Sequence, residues 1–299
     1  MKSNPPSDSS IDHGEVRRGV FIMVVSVIGF TVNTLLLRYL SGETKGISPD
    51  VPLLFRAGVG IFVVLVFFRG RRPTRVIPVF RDRLLMWRGL SGLLGTAAYY
   101  WTVPSLGAGT ATLICNTYVI FASIIASLAL GEKLTPLRFL WLILAFIGIV
   151  FLLSPEKTSG EFAIGFYECV ALAGAVIAAT SVVLVRRLVA DYSIGTIYLS
   201  QCIWIFLPVV VMAGPKLLDL EASDFGLLVL GGLAASYGQL AMNEGYRCLS
   251  VSAGASMQML WPVMTTVGGW WLFSETLSWL QLSGAVIILY AVWRVSRGG

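Results

Sequence analysis

Ser236, Gln239 and Asn243 fall at i, i+3 and i+7 within one long apolar segment, so an α-helix carries them as a single polar stripe. Amides and hydroxyls in such a row can hold the polar ends of a small solute by hydrogen bonds, but they do not supply acid–base or nucleophilic chemistry. Thr96 and Tyr100 occupy the matching positions 143 residues earlier, with Tyr99 and Trp101 beside them. Thr112 and Asn116, at i and i+4 with Tyr118 close by, extend the set. Asn33, with Ser26 and Thr34, and Gln258 and Trp261, with Ser252 and Ser256, complete it. In hydrocarbon such groups need protein or water partners, so their alignment points to a cavity. The plainer alternative is bonding between helices, worth about 1 kcal/mol or less per bond. The rings of Tyr99, Tyr100, Trp101, Tyr118, Tyr237 and Trp261 on the same segments would favour an apolar or aromatic substrate side chain.

Four further residues suggest gating or structural roles. Arg56 lies about one turn inside an apolar segment, where a charge is costly unless it snorkels or meets a partner. Glu132 and Glu275 follow apolar segments directly and suit the N-terminus of a neighbouring helix. Pro262 lacks an N–H and leaves the carbonyl of Gln258 without its helical donor. Gly89, Gly92 and Gly95 suit close helix packing better than binding.

Absences exclude other classes. There is no G-x-x-x-x-G-K-[ST] loop, and the single histidine, His13, precedes the apolar segments. No metal site or cofactor is expected. Cys115, Cys169, Cys202 and Cys248 lack metal or disulfide spacing and suit small core positions. No enzyme chemistry is expected.

The elements that must position these residues are membrane helices. The chain is 56% hydrophobic and 13% charged, with mean hydropathy +0.80. Spans of roughly 20 apolar residues are expected at 19–40, 52–68, 84–103, 108–130, 137–154, 163–185, 194–213, 225–243, 251–273 and 279–295. Leu130-Gly131-Glu132-Lys133-Leu134-Thr135 returns as Phe273-Ser274-Glu275-Thr276-Leu277-Ser278, and the same offset of 143 pairs Gly89 with Gly232 and Gly95 with Gly238. A looser alignment pairs Asn33 with Ser181 and Arg38 with Arg186. The expected fold is an all-α membrane protein of ten transmembrane helices in two inverted five-helix repeats. The first repeat covers 19–154 and the second 163–295; residues 1–18 read as a disordered cytoplasmic tail.

The net charge of +6 follows topology, not a nucleic-acid surface. Arg69, Arg71, Arg72, Arg75, Arg81, Arg83, Arg88, Arg138, Arg186, Arg187, Arg247 and Arg294 fall on one side, whereas Arg38, Lys45, Lys157 and Lys216 fall on the other. The positive-inside rule then puts both termini in the cytoplasm of a bacterial inner membrane.

Phe55-Arg56-Ala57, Gly131-Glu132-Lys133-Leu134-Thr135, Leu260-Trp261-Pro262-Val263 and Ser274-Glu275-Thr276-Leu277-Ser278 resemble motifs of the drug/metabolite transporter superfamily, specifically its ten-helix EamA-type members. Tyr118 stands where many members have the proline equivalent to Pro262, which leaves open whether both halves bend alike. The resemblance implies a secondary transporter that exports aromatic or neutral amino acids, or related small metabolites, by alternating access. A broad drug or nucleotide-sugar carrier is the alternative; a nucleotide sugar needs several cations, and Arg56 alone is a candidate. A non-transporting receptor or scaffold is the reading from another class. The expected partners are a small-molecule substrate and lipid, with a coupling proton as an option. A monomer is expected, and a dimer stays open.

Overall fold

A computed structural model describes residues 13–41, 45–68, 72–132, 135–153, 165–273 and 278–296. Residues 1–12 of the expected tail, Arg69, Arg71 and Lys157, and Glu275 with its motif neighbours Ser274, Thr276 and Leu277 lie outside the described residues.

The chain is an all-α membrane protein, and no strand occurs among the described residues. A backbone in hydrocarbon must satisfy its own hydrogen bonds, and a helix does so within one segment. In order, the helices are α1 (His13–Ser41), α2 (Asp50–Phe62, extended by a π-helical turn Val63–Phe67), α3 (Pro78–Arg81), α4 (Arg83–Asn116), α5 (Tyr118–Leu130) and α6 (Pro136–Leu153). They continue with α7 (Phe166–Leu188), α8 (Ile194–Ala213, then a 3-10 stretch Gly214–Asp219), α9 (Ala222–Cys248), α10 (Val251–Gln258), α11 (Leu260–Phe273) and α12 (Trp279–Ser296). By length and composition α1, α7 and α9, and α2 and α8 with their extensions, can each cross a bilayer. Phe21, Leu128, Val211, Trp271 and Trp279 project from the bundle, each more than two-thirds exposed. An apolar exterior on this scale suits lipid rather than water.

Two of the expected boundaries move. α1 begins at His13, so residues 13–18 belong to a helix and not to the tail. Glu15 sits in its first turn, where an acid suits the helix dipole, and Arg18 pairs with Glu244 at 3.1 Å. Spans three and four, expected apart at 84–103 and 108–130, join in α4, and the visible break comes later, at Thr117. Yet α4 is not straight. A straight helix would separate Tyr99 from Thr112 by about 20 Å, whereas Tyr99 Oη and Thr112 Oγ1 lie 3.2 Å apart. The axis therefore folds back between them. α4 thus supplies the third crossing and the start of the fourth.

This leaves two sets of five crossings, and exchanging them preserves the packing. α1 lies on α9 as α7 lies on α4, α2 touches α9 as α8 touches α4, and α2–α8, α5–α10 and α6–α12 pair across the exchange. Glycines mark the same contacts. A Cβ on Gly89 would meet Trp204 and the carbonyl of Ser200 in α8, and one on Gly232 would meet Val59 and the carbonyl of Phe55 in α2. Gly95 abuts Ala178 of α7, and Gly238 abuts Ser26 and Phe30 of α1. Without a hydrophobic drive between helices in lipid, such close approach is what holds them together. An odd number of crossings per set makes the second run inverted to the first.

Candidate functional site

Between the two sets lies a small cavity of ≈ 120 Å³. α1 contributes Phe30 and Asn33; α2, Arg56; α4 and α5, Arg88, Ser91, Gly92, Gly95, Thr96, Tyr99, Cys115 and Tyr118. Across from them stand Ala178, Ser181 and Val182 of α7, Gln201 of α8, Gln239 and Met242 of α9, Gln258 of α10 and Trp261 of α11.

Two polar chains cross between the halves here. In one, Arg56 Nη2 donates to Gln239 Oε1 (3.2 Å), and Gln239 Nε2 donates to Asn243 Oδ1 (3.3 Å). In the other, Arg88 donates through Nη1 to Ser181 Oγ and through Nη2 to Gln201 Oε1, both at 2.8 Å. Gln201 Nε2 then donates to Thr96 Oγ1 (3.1 Å). Gln239 and Thr96 are matched positions of the two repeats, and each receives a partner from the second helix of the opposite set, α2 or α8.

Rings close one wall. Trp261 packs against Tyr99 with centroids 5.4 Å apart and against Phe30 at 6.0 Å, and its indole N–H donates to Thr34 Oγ1 (3.1 Å). The Arg56 guanidinium carbon lies 5.7 Å from the Phe30 centroid and 6.0 Å from that of Tyr100, in cation–π range. Gln258 Nε2 donates to Ser26 Oγ (3.1 Å), which ties the broken helix α10–α11 to α1.

Of the residues expected to bind substrate, Asn33, Thr96, Tyr99, Tyr118, Gln239, Gln258 and Trp261 line the cavity. Tyr100, Asn116 and Asn243 stand one layer behind it, buried. Tyr100 is held by Asn33, whose Nδ2 donates to Tyr100 Oη (3.1 Å). Trp101 is a correction: it is 42% exposed on the outside of the bundle, because one residue of helix beyond Tyr100 rotates a side chain by about 100°. Tyr237 faces outward for the same reason. Cys169 is exposed and not a core residue.

Arg88 is the residue the sequence reading misplaced. Counted among the water-facing arginines, it is 2% exposed and lines the cavity. One helical face would have revealed it, since Arg88, Ser91, Gly92, Gly95, Thr96 and Tyr99 recur at helical spacing. Gly92 belongs with it, because a Cβ there would come within 2.6 Å of Arg88 Nη1. It therefore makes room for the guanidinium as well as for packing.

Both halves also break one crossing next to the cavity. α10 ends at Gln258 and α11 begins at Leu260, three residues into which Pro262 withholds its N–H. In the first half the break at Thr117 has no proline. There Asn116 Nδ2 donates to the Thr112 carbonyl (2.8 Å) and Thr117 Oγ1 to the Ile114 carbonyl (2.6 Å), local bonds that compete with the helix. The two halves interrupt the crossing by different chemistry.

Outside the bilayer, Glu132 follows α5 and accepts from the backbone N–H of Val251 at the start of α10 (2.9 and 3.1 Å), with Arg186 at 3.7 Å. This is the helix N-terminus expected for it. Burial pushes its carboxyl above the ordinary range, and the Val251 N–H and Arg186 offset that only in part. On the opposite face Lys45 bonds Glu221 and Asp224, and Lys216 bonds Asp50 at 2.6 Å.

The profile of the EamA-like transporter family matches the chain twice, over residues 17–154 and 165–297. The Pseudopaline exporter CntI of Pseudomonas aeruginosa is 24% identical over 94% of this chain and 97% of its own. An S-adenosylmethionine uptake transporter of Rickettsia felis is 21% identical over 91% of this chain and 90% of its own. A protein of known crystal structure superimposes with a TM-score of 0.74 at 17% identity, over 94% of this chain and 98% of that one.

Proposed function

Because the chain belongs to the EamA-like transporter family, a transporter is the premise, and we propose that it exports amino-acid-like metabolites across the bacterial inner membrane by alternating access. The observation that carries this reading is the matched pair Thr96 and Gln239, one from each repeat, facing a common cavity at the repeat interface. A scaffold has no use for polar groups there, whereas a carrier needs one site reachable from both sides. The guanidinium of Arg56 suits a carboxylate, the amides of Gln239 and Gln258 suit an amino group or further polar ends, and the wall of Phe30, Tyr99 and Trp261 suits an apolar or aromatic portion.

Export follows the relative named for that activity, which covers 94% of this chain; the uptake transporter speaks for the opposite direction on the same architecture. With Arg72, Arg75, Arg81, Arg83, Arg138, Arg187, Arg247 and Arg294 on one face, the positive-inside rule supports cytoplasmic termini. The burial of Arg88 does not change that bias.

Counterflow in proteoliposomes tests the proposal. Purified protein should exchange labelled phenylalanine or a neutral amino acid. Gln239→Leu should slow exchange about tenfold or more by removing the acceptor of Arg56, at some cost in melting temperature but without loss of the folded state. Undiminished exchange by that variant refutes the site, and no exchange of any amino acid-like solute refutes the carrier.

A further inference from the structure

Arg56 and Arg88 both line the cavity, 7% and 2% exposed. Among the described residues neither has an aspartate or glutamate within salt-bridge reach. Neutral oxygens hold them instead: Gln239 for Arg56, Ser181 and Gln201 for Arg88. Neutral acceptors orient a guanidinium without cancelling its charge, and a buried charge without a counter-charge is costly. Two such groups facing one space also repel each other.

The cost is not a requirement of the packing. The repeat partner of Arg88 is Gly231, so the second half builds the same helix contacts with no cation at this position. Room is kept for the guanidinium by Gly92. Nor is Arg88 fully used. A guanidinium has five N–H donors in a planar fork suited to carboxylates, and its buried Nε–H has no hydrogen-bond partner.

We infer that Arg56 and Arg88 make this cavity a receptor for a solute with two separate acid groups, its apolar portion lying against Tyr99 and Trp261. The inference rests on the carrier reading and sharpens its substrate class. A neutral amino acid offers one carboxylate, which leaves the second arginine unanswered. Two anionic groups answer both, on α2 and on α4, and turn an electrostatic cost into selectivity.

Titration calorimetry on the purified full chain in detergent separates the possibilities with three probes of one ring: 3-phenylpropionate (one carboxylate), phenylsuccinate (two carboxylates) and phenyl phosphate (two charges on one group). Phenylsuccinate should bind about tenfold or more tighter than 3-phenylpropionate, the worth of one added charged hydrogen-bond pair. Arg88→Gln should erase that advantage, so that phenylsuccinate binds no tighter than 3-phenylpropionate, with a cooperative melting transition of the variant certifying the fold. Arg88→Lys, which keeps a charge in the same place, should retain part of the advantage whichever way Arg88→Gln behaves. Equal affinities in the unmodified chain, no binding of any probe, an advantage that survives Arg88→Gln, or phenyl phosphate as the best ligand would each overturn the inference. Phenylalanine counterflow without a preference for phenylsuccinate would leave the carrier reading standing and sink this one. Arg88-dependent binding with no counterflow of any solute would do the reverse.

Discussion

At one place on the repeat interface Arg56 of α2 donates to Gln239 of α9, and at the matching place Gln201 of α8 donates to Thr96 of α4. The geometry is the same: the second helix of one repeat reaches the third helix of the other, at matched positions. The charge is not. A second mismatch lies about two turns earlier on the same face, where Arg88 fills a position that Gly231 leaves open. A Cβ on Gly231 would come no closer than 3.8 Å to α1, with Asn33 at 3.9 Å. Asn33 is the residue that pairs with Ser181, the partner of Arg88. Duplication has thus kept the contacts that hold helices together and released the residues that face the cavity. Symmetry in the packing serves rocking of one repeat against the other, and asymmetry in the lining serves recognition of a solute that has no two-fold axis.

If the packing is symmetric in energy as well as in geometry, Gly89→Ala and Gly232→Ala should destabilise the chain alike. Each Cβ would press on a carbonyl, Ser200 O at 2.9 Å or Phe55 O at 3.0 Å. A carbonyl cannot swing aside as a side-chain tip can, so overpacking by about 1–3 kcal/mol is expected for each. Unfolding of the purified variants in denaturing detergent measures it. A large loss for one and none for the other would break the comparison at its base.

The paired helix breaks offer a smaller effect with a sharper reading. Asn116 Oδ1 is buried without a partner, which costs about 1–3 kcal/mol. Asn116→Leu should therefore raise the melting temperature or leave it unchanged, while slowing counterflow several-fold, because the freed Thr112 carbonyl rejoins the helix. Pro262→Ala should act likewise in the second half by restoring a donor. Slower exchange from only one of the two would mean that a single half hinges.

How much of this was legible beforehand depends on what kind of signal each residue gives. The glycines and the repeated motif around Glu132 persist because packing and helix ends tolerate few alternatives, so a fixed offset exposed them. The same offset paired Thr96 with Gln239. Arg88 escaped because it follows Arg81 and Arg83 and counts with them as a water-facing charge; only the helical angle separates it, and that needs the true start of α4 at Arg83. Trp101 was misassigned by proximity in sequence to Tyr100, where one residue of helix rotation decides inside from outside. The fold-back within α4 was legible as a gap between apolar spans. That the fourth crossing is interrupted at Thr117 was not, since side-chain back-bonding by Asn116 and Thr117 leaves no periodic trace.

The two membrane faces differ as well, and pH separates them with the smallest expected effect. Asp50, on one face, is pushed up by its burial but pulled down further by hydrogen bonds from Lys216 and Ser48, so its carboxyl lies below the ordinary 3.8. A lowered folded value contributes stability above the unfolded value and loses it as pH falls through the folded one. Glu132, on the other face, has a folded value above the ordinary 4.5. It takes up a proton on folding, so its contribution is fully present below 4.5 and is lost as pH rises through the raised value. The Lys216 ammonium is half exposed, which holds the Asp50 contribution to about 1 kcal/mol or less. Melting temperatures followed from acid to neutral pH should show Asp50→Asn destabilising at neutral pH and converging on the unmodified chain in acid. Glu132→Gln should do the opposite, removing the loss that sets in as pH rises past 4.5. If both variants shift stability in the same direction across that window, the two faces are closed by equivalent chemistry and the asymmetry is confined to the cavity.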